Sequence, residues 1–187
     1  MKRRIALGLF LCLALVQLAV PASMIVRREL TLHSGRQYRF QTAPVDPYDP
    51  FRGRYVALSL QANTSPLPPD ISLAPGQRVY AILTEDAEGF ATIASLSLTP
   101  PGGDAYFQTS VSYVSGDRVH IDIPFDRYYT DEHLAPAAER AYWQHSRLPA
   151  HEAYITVRIK DGLAVLEDLY IAGKPLQEFL QQETEQR

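Results

Sequence analysis

The chain has 187 residues, with 18 basic and 21 acidic side chains, five histidines and a formal net charge of −3 at pH 7. This length allows one ordinary domain beyond a short targeting segment, and the acidic balance argues against nucleic acid as a partner. The only cysteine, Cys12, lies in an apolar N-terminal run. The rest of the chain therefore has no disulfide and no cysteine-based metal site.

The N-terminus predicts export of the remaining chain. Basic residues at 2–4 precede an apolar run over 5–20, which continues almost without charge to residue 26. The longer run, of about 22 residues, is enough to cross a hydrocarbon core of about 30 Å, whereas the shorter one is typical of a signal peptide. We favour an uncleaved anchor, because apolar residues resume after Pro21. The basic residues at 2–4 favour a cytoplasmic N-terminus.

These features divide the chain into three predicted regions. Residues 1–26 form a membrane anchor or signal peptide, 27–35 a polar stalk, and 36–187 one extracytoplasmic domain. Without the three basic residues at 2–4, the exported part has 15 basic and 21 acidic side chains, a net charge of −6. The localisation that follows is a single-pass protein of the cytoplasmic (inner) membrane, in contact with lipid through 5–26 and with its C-terminal domain on the periplasmic side.

Alternation of apolar and polar residues dominates the exported part, as in half-buried strands. Asp161-Gly162 is the strongest turn signal, because a type I′ turn needs positive φ at both positions. The proline-rich segment 63–70 is predicted to be a loop. The pattern predicts about eight strands, at 37–43, 54–60, 77–84, 90–98, 106–114, 118–123, 152–160 and 163–171.

Two short helices complete the prediction. One begins near Pro136, a residue suited to the first helical position, and runs to Gln144. The other extends from Leu176 to about Glu183, with apolar residues at helical spacing. The expected fold class is mainly β (α+β): an N-terminal transmembrane helix followed by one antiparallel β-rich domain.

The densest motif is Pro44-Val45-Asp46-Pro47-Tyr48-Asp49-Pro50-Phe51-Arg52-Gly53-Arg54-Tyr55, which leads into the alternating stretch 56–60. Two Asp-Pro turns come first, in which each carboxylate caps the turn and proline fixes φ. An Arg-Gly pair follows, and Arg52 is suited to a bidentate bond with one of the carboxylates.

This motif resembles that of the GDYXXLXY family of bacterial membrane-anchored proteins. Pro44 to Pro47, Phe51, Arg52, Gly53, Tyr55 and Leu58 stand at matching positions, whereas Arg54 replaces the family's Asp and Leu60 its final Tyr. Asp126-Arg127-Tyr128-Tyr129 is similar to a second segment of the family, and the closing hairpin at 164–175 is also similar. The resemblance implies a membrane-anchored extracytoplasmic domain and supplies no catalytic residues.

The charged residues of the motif allow a structural and a functional interpretation. In the first, Asp46, Asp49 and Arg52 stabilise turns, and Gly53 permits a close approach. In the second, they form a partner-binding, ligand-binding or acid–base site. Asp126, Arg127 and Tyr128 are expected to pack beside the motif, where a tyrosine at the edge of the core with a hydrated hydroxyl is the simpler alternative.

The leading functional hypothesis is not enzymatic. It describes an accessory or interaction module for an integral membrane partner, because we find no nucleophile, phosphate-binding or dinucleotide motif. The alternative is an extracytoplasmic ligand-binding or hydrolytic domain that uses Asp46, Asp49 and Arg52. A cleaved and freely soluble periplasmic protein is a third possibility. No cofactor and no metal are predicted.

Overall fold

The computed structural model describes residues 2–43, 55–68, 71–103, 105–146 and 152–185. Helix α1 (Lys2–Ser34) comes first, and α2 (Ala135–His145) and α3 (Leu176–Glu185) lie in the C-terminal part. The strands within the described ranges are β1 (Arg36–Ala43), β2 (Tyr55–Ala57), β3 (Ser59–Leu60), β4 (Thr64–Pro66), β5 (Arg78–Glu85), β6 (Ala91–Ser97), β7 (Tyr106–Ser115), β8 (Arg118–Ile121), β9 (Arg127–Tyr129), β10 (Ala153–Lys160), β11 (Leu163–Ile171) and β12 (Lys174–Pro175).

The strands form two five-stranded sheets and a two-stranded ladder. The first sheet has the order β12-β11-β10-β1-β3, the second has the order β4-β8-β7-β5-β6, and β2 pairs with β9. Every named strand pair is antiparallel. The predicted fold class, an apolar N-terminal helix followed by an antiparallel β domain, is therefore confirmed.

One hydrophobic core fills the space between the sheets, which together approach a barrel. Phe40 of β1 and Phe107 of β7 are both fully buried, with ring centroids 6.5 Å apart. Phe125 lies between them, at 5.1 Å from Phe40 and 5.4 Å from Phe107. These contacts join the two sheets, so the described residues after α1 form one packing unit.

The β10–β11 turn adds a backbone link between the sheets. Asp161 and Gly162 both have positive φ, 50° and 78°, which confirms the predicted turn. Gly162 forms an isolated bridge with Phe107, and its carbonyl oxygen accepts a 2.9 Å hydrogen bond from the Gln108 amide. The turn therefore closes one side of the near-barrel.

The structure departs from the predicted strands in several places, since β9 and β12 are short strands that the pattern does not predict. The strand predicted over 54–60 changes partner at Leu58, because β2 pairs with β9 whereas β3 pairs with β1. The prediction of a loop throughout 63–70 is wrong for β4, which pairs with β8 at the edge of the second sheet. Pro66 fits there because an edge strand can leave one side of its backbone unpaired.

Helix α1 is long and apolar enough to cross a membrane, which is consistent with a single span or a signal sequence. Its large apolar side chains from Ile5 to Leu30 are more than half exposed. The segment 27–35, predicted to be a stalk, is helical as far as Ser34 and leaves only Gly35 between α1 and β1.

Candidate functional site

The motif at 44–60 is described only from residue 55 onward. Asp46, Asp49, Arg52 and Gly53 lie outside the described residues, whereas Tyr55 begins β2. The structure therefore shows the two ends between which these residues lie, Ala43 at the end of β1 and Tyr55 at the start of β2.

The second predicted segment pairs directly with the end of the first. Tyr55, Val56 and Ala57 of β2 lie opposite Tyr129, Tyr128 and Arg127 of β9. The Leu58 amide then donates a 2.8 Å hydrogen bond to the carbonyl oxygen of Asp126. The expectation that 126–129 packs beside the motif is confirmed for this described half of it.

Tyr128 fixes β9 to the first sheet. Its side chain is buried, and its hydroxyl donates a 3.0 Å hydrogen bond to Oδ1 of Asp168 on β11. The same oxygen accepts a 2.8 Å bond from the Leu169 amide. The hydroxyl of Tyr128 therefore has a hydrogen-bond partner within the chain. Burial raises the pKa of this phenol far above its usual range, and the Asp168 carboxylate raises it further.

Tyr142 holds the other end of the motif. This buried residue of α2 donates a 3.0 Å hydrogen bond from its hydroxyl to the carbonyl oxygen of Ala43, and accepts a 3.4 Å bond from the Ser59 amide. Burial raises the pKa of Tyr142 to about 12, although hydrogen bonds from Ser59 and Thr42 act to lower it. The phenol is therefore a neutral donor at physiological pH.

We call β2, β9, Tyr142 and Asp168 together the motif platform. Its outer edge is polar and accessible: Asp126 and Arg127 are about half exposed, with Oδ1 and Nε 3.6 Å apart, and the Tyr129 side chain is 66% exposed. An ion pair at this distance in water contributes little to stability. These side chains therefore form an exposed charged and aromatic edge of the platform.

The chemistry of the platform is that of a scaffold. Within the described ranges, no group of three or more His, Cys, Asp or Glu side chains is arranged to hold a metal ion. The two buried phenols donate to an oxygen of the chain itself, Asp168 Oδ1 and Ala43 O. Their raised pKa values keep them protonated, so neither acts as a base near neutral pH.

Sequence reasoning missed two residues of the platform. Asp168 lies in the closing hairpin at 164–175, and a carboxylate among the apolar residues of β11 is a usable signal that a buried donor faces it. Tyr142 lies within the helix predicted from Pro136 to Gln144, where the sequence does not single out its hydroxyl. Its partner Ala43 lies 99 positions away, and a bond to a backbone carbonyl has no signature in a sequence.

The fold and the platform together define a class of protein: one N-terminal apolar helix that carries an antiparallel β domain. The family model for the GDYXXLXY protein matches residues 17–169, which include the end of α1, the motif and β9. The chain therefore belongs to the GDYXXLXY family. Neither the curated proteins nor the solved structures include a match to it.

Proposed function

We propose that this protein is a membrane-anchored extracytoplasmic module that binds an integral membrane partner through the motif platform. Helix α1 supports the anchoring, because it has the length and apolarity of a membrane span. Confinement near the bilayer raises the effective concentration of the domain toward a membrane partner.

The observation that carries the proposal is the pairing of β2 with β9. It brings together two segments that are about 70 positions apart and that both lie within the residues matched by the family model. Buried phenols fix the backbone on either side, whereas Asp126, Arg127 and Tyr129 point their side chains outward. Such a rigid frame with an exposed charged and aromatic edge is typical of a recognition surface.

The test is affinity purification of the full chain from its native host in mild detergent, with identification of bound proteins. We expect one integral membrane protein to recur with the wild-type chain and to be lost with Arg127→Ala. Arg118→Ala is the matched control, since Arg118 is also an exposed arginine on a short strand, but in the second sheet. The unfolding temperature of both variants is measured in parallel, so that loss of the partner is assigned to the surface only where the fold is unchanged.

Arg52→Ala extends the test to the part of the motif that lies outside the described residues. Loss of the partner with an unchanged unfolding temperature would place Arg52 in the binding surface. Loss of both would assign Arg52 to the scaffold, since breaking a buried ion pair costs about 3–5 kcal/mol. A solitary protein in every purification would contradict the proposal and leave the ligand-binding or hydrolytic alternative at Asp46, Asp49 and Arg52.

A further inference from the structure

The junction between α1 and the β domain is a single residue. Helix α1 ends at Ser34 and β1 begins at Arg36. The Gly35 amide donates a 2.8 Å hydrogen bond to the carbonyl oxygen of Thr31, so it completes the last turn of the helix. The linker has no room for a flexible coil.

Gly35 is pressed against backbone on both sides. A Cβ at this position would lie 2.5 Å from the Thr31 carbonyl oxygen and 3.0 Å from that of Ile159. Thr31 itself is buried, with only 3% of its surface exposed. The end of the helix is therefore packed against the end of β10, with no gap that would allow a hinge.

Two cationic side chains of β10 tie down the end of the helix. Lys160 donates a 2.7 Å hydrogen bond from Nζ to Oγ of Ser34, and Arg158 donates a 3.2 Å bond from Nη1 to the carbonyl oxygen of Gly35. Nε of Arg158 also binds Oε1 of Glu167 at 2.9 Å. Cations are favourable at a helix C-terminus, where unpaired carbonyl groups concentrate negative charge.

Burial shows how the helix leaves the domain. The described side chains before Thr31 are exposed, apart from the partly buried Ala14. The contacts of α1 with strands are with β10 and β11. The helix therefore projects away from the β10–β11 turn instead of lying along the sheet, and this turn is at the helix end of the domain.

The motif platform lies at the opposite end. Strand β1 begins beside the helix and ends at Ala43, whose carbonyl oxygen binds Tyr142. Its eight residues span about 25 Å, and helical residues 27–34 add about 12 Å beyond the apolar run. The platform is thus roughly 35 Å from the hydrocarbon edge when the helix stands near the bilayer normal.

We infer that α1 and the β domain form one rigid unit, with the β10–β11 turn facing the lipid headgroups and the motif platform facing away from them. The inference rests on the proposed anchoring. It deepens the proposed function, because the partner must then be an integral membrane protein with an extracytoplasmic part that rises to the platform. A partner made of membrane-spanning helices alone would not reach it.

The test uses the full chain in lipid vesicles with a Cys12→Ala background, which leaves no native thiol. A fluorophore is placed on the turn by Leu163→Cys or on α2 by Glu139→Cys, both at exposed positions. A nitroxide on the lipid headgroup is the quencher. We expect several-fold stronger quenching at 163 than at 139.

The matched control inserts Gly-Ser-Gly-Ser between Ser34 and Gly35, with the fold checked by circular dichroism. We expect quenching at the two positions to become similar, because the domain then tumbles freely. Equal quenching without the insertion, or no response to the insertion, would overturn the inference while the chain still floats with the vesicles. Failure to float with the vesicles would instead reject the anchoring on which it rests.

Discussion

At the scale of single residues, Gly35 is required because the backbone of Thr31 and Ile159 lies too close to leave room for a side chain. Gly35→Ala should lower the free energy of unfolding by about 1–3 kcal/mol, because a Cβ at 2.5 Å from the Thr31 carbonyl oxygen forces backbone to move. Gly102→Ala is the control, since a Cβ added at Gly102 would have nothing within 4 Å. Thermal unfolding of the two variants measures the difference, and equal stability would contradict the packed junction.

The buried phenol of Tyr142 makes the stability of the fold depend on pH at high pH. Tyr142 has a pKa of about 12 in the fold and about 10 when unfolded, so its contribution is complete below pH 10. Above pH 10 the unfolded state loses this proton first, and Tyr142 alone lowers the free energy of unfolding by about 1.4 kcal/mol per pH unit up to about pH 12. Tyr128, whose pKa is also raised, adds to the total slope.

Denaturant unfolding between pH 9 and 12 measures this slope. Tyr142→Phe should make the slope shallower, although it also removes the hydrogen bonds to Ala43 and Ser59. Tyr113→Phe is the control, because Tyr113 is half-exposed and lies in the second sheet. A slope that Tyr142→Phe leaves unchanged would show that this phenol ionises equally in both states.

At the scale of elements, the β10–β11 turn is both a hairpin and a link between sheets. Gly162→Ala adds a side chain at φ +78° and 2.9 Å from the Tyr106 ring, whereas Gly116→Ala meets only the cost of φ +60° with nothing within 4 Å. We expect both variants to lose stability, Gly162→Ala by about 1–2 kcal/mol more than Gly116→Ala. Equal losses of unfolding free energy in chemical denaturation would mean that the contact between this turn and Tyr106 does not stabilise the packing of the two sheets.

The long elements were predictable and the short ones were not. Alternation identified β1, β5, β6, β7, β8, β10 and β11, because each is long enough to show a period of two. Strands β4, β9 and β12 have two or three residues, too few for any periodicity. They exist because longer neighbours supply their hydrogen-bond partners, which is tertiary information.

In the candidate site, too, one part was predictable from the sequence and another was not. The motif and the segment 126–129 are visible as unusual residues, but their pairing depends on the path of the chain. The bond from Tyr128 to Asp168 crosses 40 positions and that from Tyr142 to Ala43 crosses 99. Sequence patterns report local geometry and burial, whereas such contacts arise only when the sheets close on a shared core.

At the scale of the whole molecule, the apolar helix and the β domain make separate contributions. The large apolar side chains of α1 before Thr31 are exposed, so the helix adds little to the packing of the domain. We expect a chain that begins at residue 27 to keep the unfolding temperature of the full chain, because it retains Thr31, Gly35 and the contacts of β10. A chain that begins at residue 36 should unfold at a lower temperature.

The full chain and the chain that begins at residue 27 also test whether the N-terminal segment is an uncleaved anchor or a cleaved signal peptide. The full chain, expressed in a bacterial host, should remain in the membrane pellet after carbonate extraction, and its intact mass should include residues 1–26. The chain that begins at residue 27 should be released. A full chain recovered in the soluble fraction without those residues would identify a cleaved signal sequence. The domain would then be free in the periplasm, without the confinement that raises its effective concentration toward a membrane partner.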